Sequence, residues 1–381
     1  MESRERIITT LNHREPDRIP FDLDGSAVTG IHIKAYKDLL TYLNIEKDDF
    51  KIRDILQQLA WVHEDILKKL KVDTRTFTPK EPSDWSLNIE EMKDGNRYYT
   101  DQYGIGWGMP KGGFYFDLYK SPLAKMTIED LDSYPFPDPE DEKRIEGLGK
   151  LAKDFHDRGY MVCAPFFFGG FFESAFWLRS YIQFYCDLGG DIKYACYLMD
   201  KLLEVEMGYY GFILDKFGDY IDIIMQHNDF AGQANLLVAP SLYRKYIKPR
   251  QKKLYSFLKK KKPSLFIFFH CCGAVYEIIP DLIEIGVDAL NPVQVSAANM
   301  DTKKLKKEFG KDIIFWGGGV DTQKVLPYGT PKEVKEEVKK RIDDLAPGGG
   351  FIFATVHNIQ ADVPPQNIMA MWEALQEYGR Y

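Results

Sequence analysis

The stretch LFIFFHCCGA, Leu265 to Ala274, is an unbroken apolar run that ends in a histidine and two cysteines and stops at a glycine. A strand buried on both faces accounts for the run, and polar chemistry begins only where that strand leaves the core. Seven other runs have the same character. They are RIPFDLDG from Arg18, VDTRTFTP from Val72, MVCAPFFF from Met161, YIDIIMQH from Tyr220, VDALNPV from Val287, DIIFWGG from Asp312 and FIFATVH from Phe351. Amphipathic segments with helix signals separate most of them. In TPKEVKEEVKKRIDDL, Thr330 is placed to cap, Pro331 takes the first helical position and Glu333 completes a capping box. Eight strands alternating with helices predict an α/β fold, a (β/α)8 TIM barrel, with a doubly wound sheet as the alternative.

The chain reads as one domain over residues 1–381. Residues 1–17 form an N-terminal helix that closes the bottom of the barrel. A segment from about 80 to 139 departs from the alternation: DGNRYYTDQYGIGWGMPKGGFYFDLY has the character of aromatic β-hairpins, and YPFPDPEDEKR follows it. This insertion is expected near the barrel mouth. A net charge of −7 argues against a nucleic-acid partner, which needs a basic face. The lysines at 259–262 read as a solvated helix end. No apolar stretch reaches the roughly 18 residues of a membrane span, and the charged start MESRERIITTLNH is unlike a signal peptide, so a cytoplasmic protein is expected. Five cysteines, an odd number, do not form a disulfide framework in such a chain.

His227, His270 and His357 each end an apolar run, 43 and 87 residues apart. In a barrel, residues just past the carboxyl ends of strands converge on the face where active sites form. Side chains two apart on a strand share a face, so His270 and Cys272 can reach one ion while Cys271 turns away. Imidazole and thiolate together suit zinc. His270, Cys272 and His357 as metal ligands leave a fourth position open, as catalytic zinc requires, with His227 and Asp321 as alternative third ligands.

Other groups fall at the same predicted level. Asp229 and Gln233 follow the fourth strand, Asn291 and Gln294 the sixth, Asp321 the seventh and Glu173 the third. The aromatic cluster between Phe166 and Trp177 exceeds one helix stripe, and Phe168 and Phe172, beside Gly169 and Gly170, are candidates to enclose a flat apolar substrate. Gln233, Gln294 and Glu173 are candidate polar contacts to it.

The segments RERIITTLNHREPDRIPFDLDG, NDFAGQANLLVAPSLYRKYIKP, HCCGAVYEIIPDLIEIGVDALNPVQ, FWGGGVDTQKVLPYGTPKEVKEEV and ATVHNIQADVPPQNI resemble the uroporphyrinogen decarboxylase superfamily over essentially the whole chain. The resemblance implies a (β/α)8 barrel. Decarboxylases of the family carry an Arg-Gln-Ala-Gly-Arg-Tyr segment whose arginines meet substrate carboxylates; here that region reads PFDLDGSAVTG, with no arginine. The corrinoid-dependent methyltransferase branch is the better match. Members that methylate coenzyme M bind zinc through His-x-Cys and a later cysteine, where His357 stands in this chain. O-demethylases pass a methyl group from a methoxylated aromatic to a corrinoid protein, and an acidic, acidic, histidine zinc pattern associated with them has compatible spacing at Asp321, Glu336 and His357.

The resemblance and the residues together imply an enzyme, a zinc-dependent methyltransferase that demethylates methoxylated aromatics. Zinc is the metal, and a corrinoid is carried by a partner protein. Asp229, Asp321 and His227 are the candidate catalytic residues, and Asp229, Gln233, Gln294 or Asp321 would hold ring substituents or relay a proton to the leaving phenolate. Methyl transfer from a methylcobamide to a thiol is the alternative. A uroporphyrinogen decarboxylase and a non-catalytic corrinoid-binding barrel are further readings.

Overall fold

The computed structural model describes residues 1–381, and its centre is a curled parallel sheet of seven strands in sequential order. These are β1 (Thr74–Thr76), β2 (Met161–Ala164), β3 (Ile223–His227), β4 (Phe266–His270), β5 (Ala289–Asn291), β6 (Ile314–Trp316) and β7 (Phe351–Ile352). The segment 18–24 closes the ring between β7 and β1. The Phe353 N–H donates to Pro20 O at 2.9 Å, Asp22 N–H to Phe353 O at 2.8 Å and Asp73 N–H to Phe21 O at 2.8 Å. The eight runs read from the sequence are therefore the eight staves of a TIM-barrel-like fold, and the doubly wound alternative is set aside.

Strand alternation builds the interior. Every second residue points inward, and Met161, Cys163, Ile223, Met225, Phe268, Ala289, Ile314, Trp316, Ile352 and Ala354 form one enclosed cluster. Ile7 and Leu11 join it from the helix Ser3–Leu11, which plugs the amino-terminal end. A larger cluster lies between the strands and the outer helices. The helix Pro331–Leu345 is typical of that layer: the Thr330–Glu333 capping box is formed, and Val334, Val338, Ile342 and Leu345 are buried at three- and four-residue spacing. Burying each contributes about 1.5–3 kcal/mol.

The insertion between β1 and β2 forms a four-stranded antiparallel sheet, Glu90–Glu91, Arg97–Thr100, Gly106–Met109 and Asp117–Lys120. Trp107 is buried there and donates from Nε1 to Asp101 Oδ2 at 2.8 Å. All five cysteines are free. No helix is long and apolar enough to cross a membrane.

One carboxylate ties three elements together at the bottom of the barrel. Asp73 is fully buried and accepts from Arg6 Nη1 at 2.8 Å, Arg18 Nη1 at 2.7 Å and the Phe21 N–H at 2.9 Å. It holds the N-terminal helix and the closing segment against the edge of β1. Asp73→Ala leaves two guanidinium groups short of their counter-charge and is expected to cost about 3–5 kcal/mol, seen as a lower urea midpoint. Truncation of the exposed Lys332 is expected to leave the midpoint unchanged.

Candidate functional site

Three adjacent strands end in register. His227, His270 and Asn291 are direct cross-strand partners at the ends of β3, β4 and β5. Each lies two residues beyond an inward-facing neighbour, Met225, Phe268 or Ala289, so all three form the polar top layer of an otherwise apolar interior.

Asn291 fixes the chemistry of His270. Its Nδ2 donates to Trp316 O at 2.8 Å, so its Oδ1 faces His270 Nδ1, at 2.5 Å. The Nδ1 must carry the ring proton, and the Nε2 lone pair is left toward Cys272 Sγ, 3.4 Å away. Burial and the neighbouring His227 charge hold His270 in its neutral form, with its pKa lowered to about 3, and they outweigh the Asn291 hydrogen bond, which acts in the opposite direction. His357, whose ring centroid lies 5.4 Å from that of His270, is likewise lowered to about 3 by burial and by His270. Burial and Asp229 push the Cys272 thiol well up. The donor atoms of His270, Cys272 and His357 lie within 4.8 Å of one another, as do those of His227, Asp229 and His270.

The loop after β4 is set by its polar neighbours. The Cys272 N–H donates to Asp229 Oδ1 at 2.7 Å and the Gly273 N–H to Gln294 Oε1 at 2.7 Å. Gly273 has φ +98°, and a Cβ there would sit 2.6 Å from Gly232 O. Cys271 turns into the outer core.

Glu173 reaches the site through an equally tight turn. Gly170 has φ +64°, and a Cβ there would lie 2.2 Å from His227 O. The helix Gly170–Arg179 starts at this turn, where Asn228 Oδ1 accepts the Phe172 N–H at 2.9 Å and Glu206 Oε2 the Phe171 N–H at 3.1 Å. Glu173 Oε2 then faces His227 Nε2 at 2.7 Å. Burial works against a charged His227, but the Glu173 carboxylate prevails and lifts it to about 9. His227 Nδ1 is buried without a hydrogen-bond partner.

These groups face a cavity of about 650 Å³. His227, Asp229, His270, His357 and Glu173 line it, with Phe166, Phe167, Phe168 and Trp177 from the barrel and Trp85, Tyr99, Trp107 and Tyr115 from the insertion. Phe168 stacks on Tyr103 at 4.2 Å and meets Trp177 edge-on at 5.2 Å.

Several sequence candidates lie elsewhere. Phe172 is fully buried among Phe176, Phe184 and Phe230 and fills core. Asp321 does not line the cavity; its Oδ1 caps the Gln323 N–H at 2.9 Å. Gln233 is exposed, beside Ser296, and Gln294 is spent on the Gly273 turn. Glu336 is exposed and faces Lys332 at 3.7 Å, so Asp321, Glu336 and His357 form no ligand set. Arg53 and Arg144 line the cavity and carried no signal in the sequence, because they sit on the short strand Ile52–Asp54 and the short helix Glu142–Ile145, both outside the repeating strand and helix pattern.

The sequence profile described as uroporphyrinogen decarboxylase (URO-D) matches residues 122–378. The chain is 23% identical over 282 residues to uroporphyrinogen decarboxylase from Psychromonas ingrahamii, covering 70% of this chain and 73% of that protein. It is 24% identical over 280 residues to the Geobacter sulfurreducens protein of the same name, covering 70% and 76%. Among solved structures, a methyltransferase from Methanosarcina mazei superposes with a TM-score of 0.68 at 17% identity, covering 99% of both chains, a likeness of fold.

Two outcomes follow from the geometry. Protein incubated with zinc and desalted is expected to retain about one equivalent by elemental analysis, lost in His270→Ala and Cys272→Ser and kept in Asp321→Asn. Glu206, pushed up to about 8 by burial, gives a pH signature. An unfolded glutamate titrates near 4.5, so this group's stabilisation is complete below that pH and is lost as pH rises toward 8. Glu206→Gln is expected to remove that decline, raising stability at pH 8 relative to wild type by about 1–3 kcal/mol in urea titrations and changing little at pH 4.5.

Proposed function

The chain belongs to the uroporphyrinogen decarboxylase family, and within it we propose that this protein is a zinc-dependent methyltransferase that removes methyl groups from methoxylated aromatic compounds and passes them to a corrinoid protein. The observation that carries this reading is the convergence of the donor atoms of His270, Cys272 and His357, two of which, His270 and His357, line an aromatic-walled cavity. Two neutral imidazoles and a buried thiol suit a divalent ion better than any purely protein-borne role, since burial alone leaves the sulfur uncharged. His270, Cys272 and His357 would hold the ion, with Asp229 beside them. Zinc supplies Lewis acidity toward the ether oxygen, and a reduced corrinoid on the partner protein supplies the nucleophile for the methyl carbon.

The rest of the work falls to the chain itself. Phe166, Phe168 and Trp177 offer ring faces and edges to a flat substrate and exclude water from it. A departing phenolate needs a hydrogen-bond donor or a proton. His227 would give one, since Glu173 takes its Nε2 side at 2.7 Å and its buried Nδ1 has no partner within the chain. Glu173 orients that ring.

The cavity's charge speaks against a decarboxylase acting on a polyacidic tetrapyrrole. Asp54, Glu81, Asp101, Asp117, Glu173 and Asp229 line it, against Arg53, Lys80 and Arg144 as permanent cations. Arg53 is already paired with Asp24 at 2.9 Å and Lys80 with Glu146 at 2.8 Å.

The test is to supply zinc-loaded protein with reduced cobalamin and either 4-methoxybenzoate or a thiol with methylcobalamin, following release of the phenol or methylation of the thiol. Phenol release is expected, reduced about 100-fold in His227→Asn. Methylation of the thiol alone, or turnover of uroporphyrinogen alone, would overturn the reading.

A further inference from the structure

Arg144 is 4% exposed, sits on the short helix Glu142–Ile145 that follows the insertion, and lines the cavity shared by His227, His270 and His357. Among the buried arginines it is the exception. Arg6 holds Asp17 and Asp73, Arg53 holds Asp24, Arg75 holds Glu64 and Arg179 holds Asp187. No carboxylate lies within 4.0 Å of Arg144.

Its one side-chain hydrogen bond runs from Nη2 to the neutral Gln102 Oε1, and its buried Nε–H has no acceptor. The guanidinium lies over the Phe167 ring at 5.9 Å, which offers weak compensation. Nearby carboxylates are already engaged. Asp101 accepts from the Tyr103 and Ile105 N–H groups and from Trp107 Nε1, and Asp141 from the Ser83 and Lys143 N–H groups. A guanidinium does not lose its proton in proteins, so burial cannot neutralise it. A buried charge is ordinarily paired, and here the counter-charge has to come from outside the chain.

We propose that Arg144 receives the carboxylate of the substrate, so that the cavity takes an aromatic monoanion whose ring lies against the wall of Phe166, Phe168 and Trp177. A planar carboxylate matches the fork of a guanidinium. With Arg53 and Lys80 already paired, a second carboxylate on the ligand finds no unpaired cation. The inference rests on the methyltransferase reading for what the bound anion undergoes, whereas the binding itself stands on Arg144.

Benzoate and benzamide, which carry no methyl ether, separate the two questions. Each is titrated into the full chain with fluorescence of the cavity residues Trp85, Trp107 and Trp177 as the readout. Benzoate is expected to bind about 10- to 100-fold more tightly than benzamide, the worth of a hydrogen bond to a charged group. Arg144→Gln brings benzoate down to the level of benzamide, and Arg144→Lys restores part of the difference. Gln102→Glu gives the arginine an internal partner and is expected to weaken benzoate without removing the arginine, which covers a glutamine variant that fails to fold. Equal binding of the two ligands to wild type, or undiminished benzoate affinity in Gln102→Glu, overturns the proposal. Benzoate selectivity through Arg144 without turnover of 4-methoxybenzoate supports the anion seat and removes the methyltransferase reading. Demethylation as fast with 4-methoxybenzyl alcohol as with 4-methoxybenzoate overturns the anion seat and leaves that reading standing.

Discussion

The parallel register across β3, β4 and β5 is the constraint on which the site depends. Pairing of His227 with His270, and of His270 with Asn291, brings three polar side chains abreast at one level. A slip of one residue in any of these strands would turn its side chain out toward the helices and bring an apolar residue to the top layer. The register is held from below by the interior cluster, whose inward positions are apolar on every one of these strands, and by the helix that plugs it. Packing far from the chemistry thus sets the position of the chemistry.

Burial then sorts the groups by protonation state. His270 and His357 gain no carboxylate partner within hydrogen-bond reach and stay neutral, which leaves lone pairs free; His227, a few ångströms away, has Glu173 and stays charged. Identical side chains take opposite roles because Glu173 meets His227 at 2.7 Å, whereas Asp229 stands off at 3.8 Å from His270 Nε2. Asn291 adds direction by spending its amide nitrogen on Trp316 O, so that only one tautomer of His270 satisfies it.

The upper wall follows a different logic. It comes from the insertion and from the turn into Gly170–Arg179, neither of which belongs to the repeating strand and helix pattern. Phe168 adopts φ +56° in that turn, which swings its ring onto Tyr103 and Trp177, while Phe172, one helical turn on, faces the opposite way into core. Arg53 and Arg144 enter the cavity from short elements outside that pattern, one neutralised by Asp24 and one not.

The sequence by itself determined the number and order of the staves, the helix starts at residues such as Thr330, the face shared by His270 and Cys272, and the family. The first three follow from periodicity and local capping, which are written into neighbouring residues, and the family from the resemblance of whole segments. The tertiary structure alone decided that Asp321, Gln233, Gln294 and Phe172 stand outside the cavity while Arg53, Arg144, Trp107 and Trp177 line it. Past the end of a strand no period governs where a side chain points. Its direction is set by turn angles and by partners distant in the chain, and these exist only once the barrel has closed.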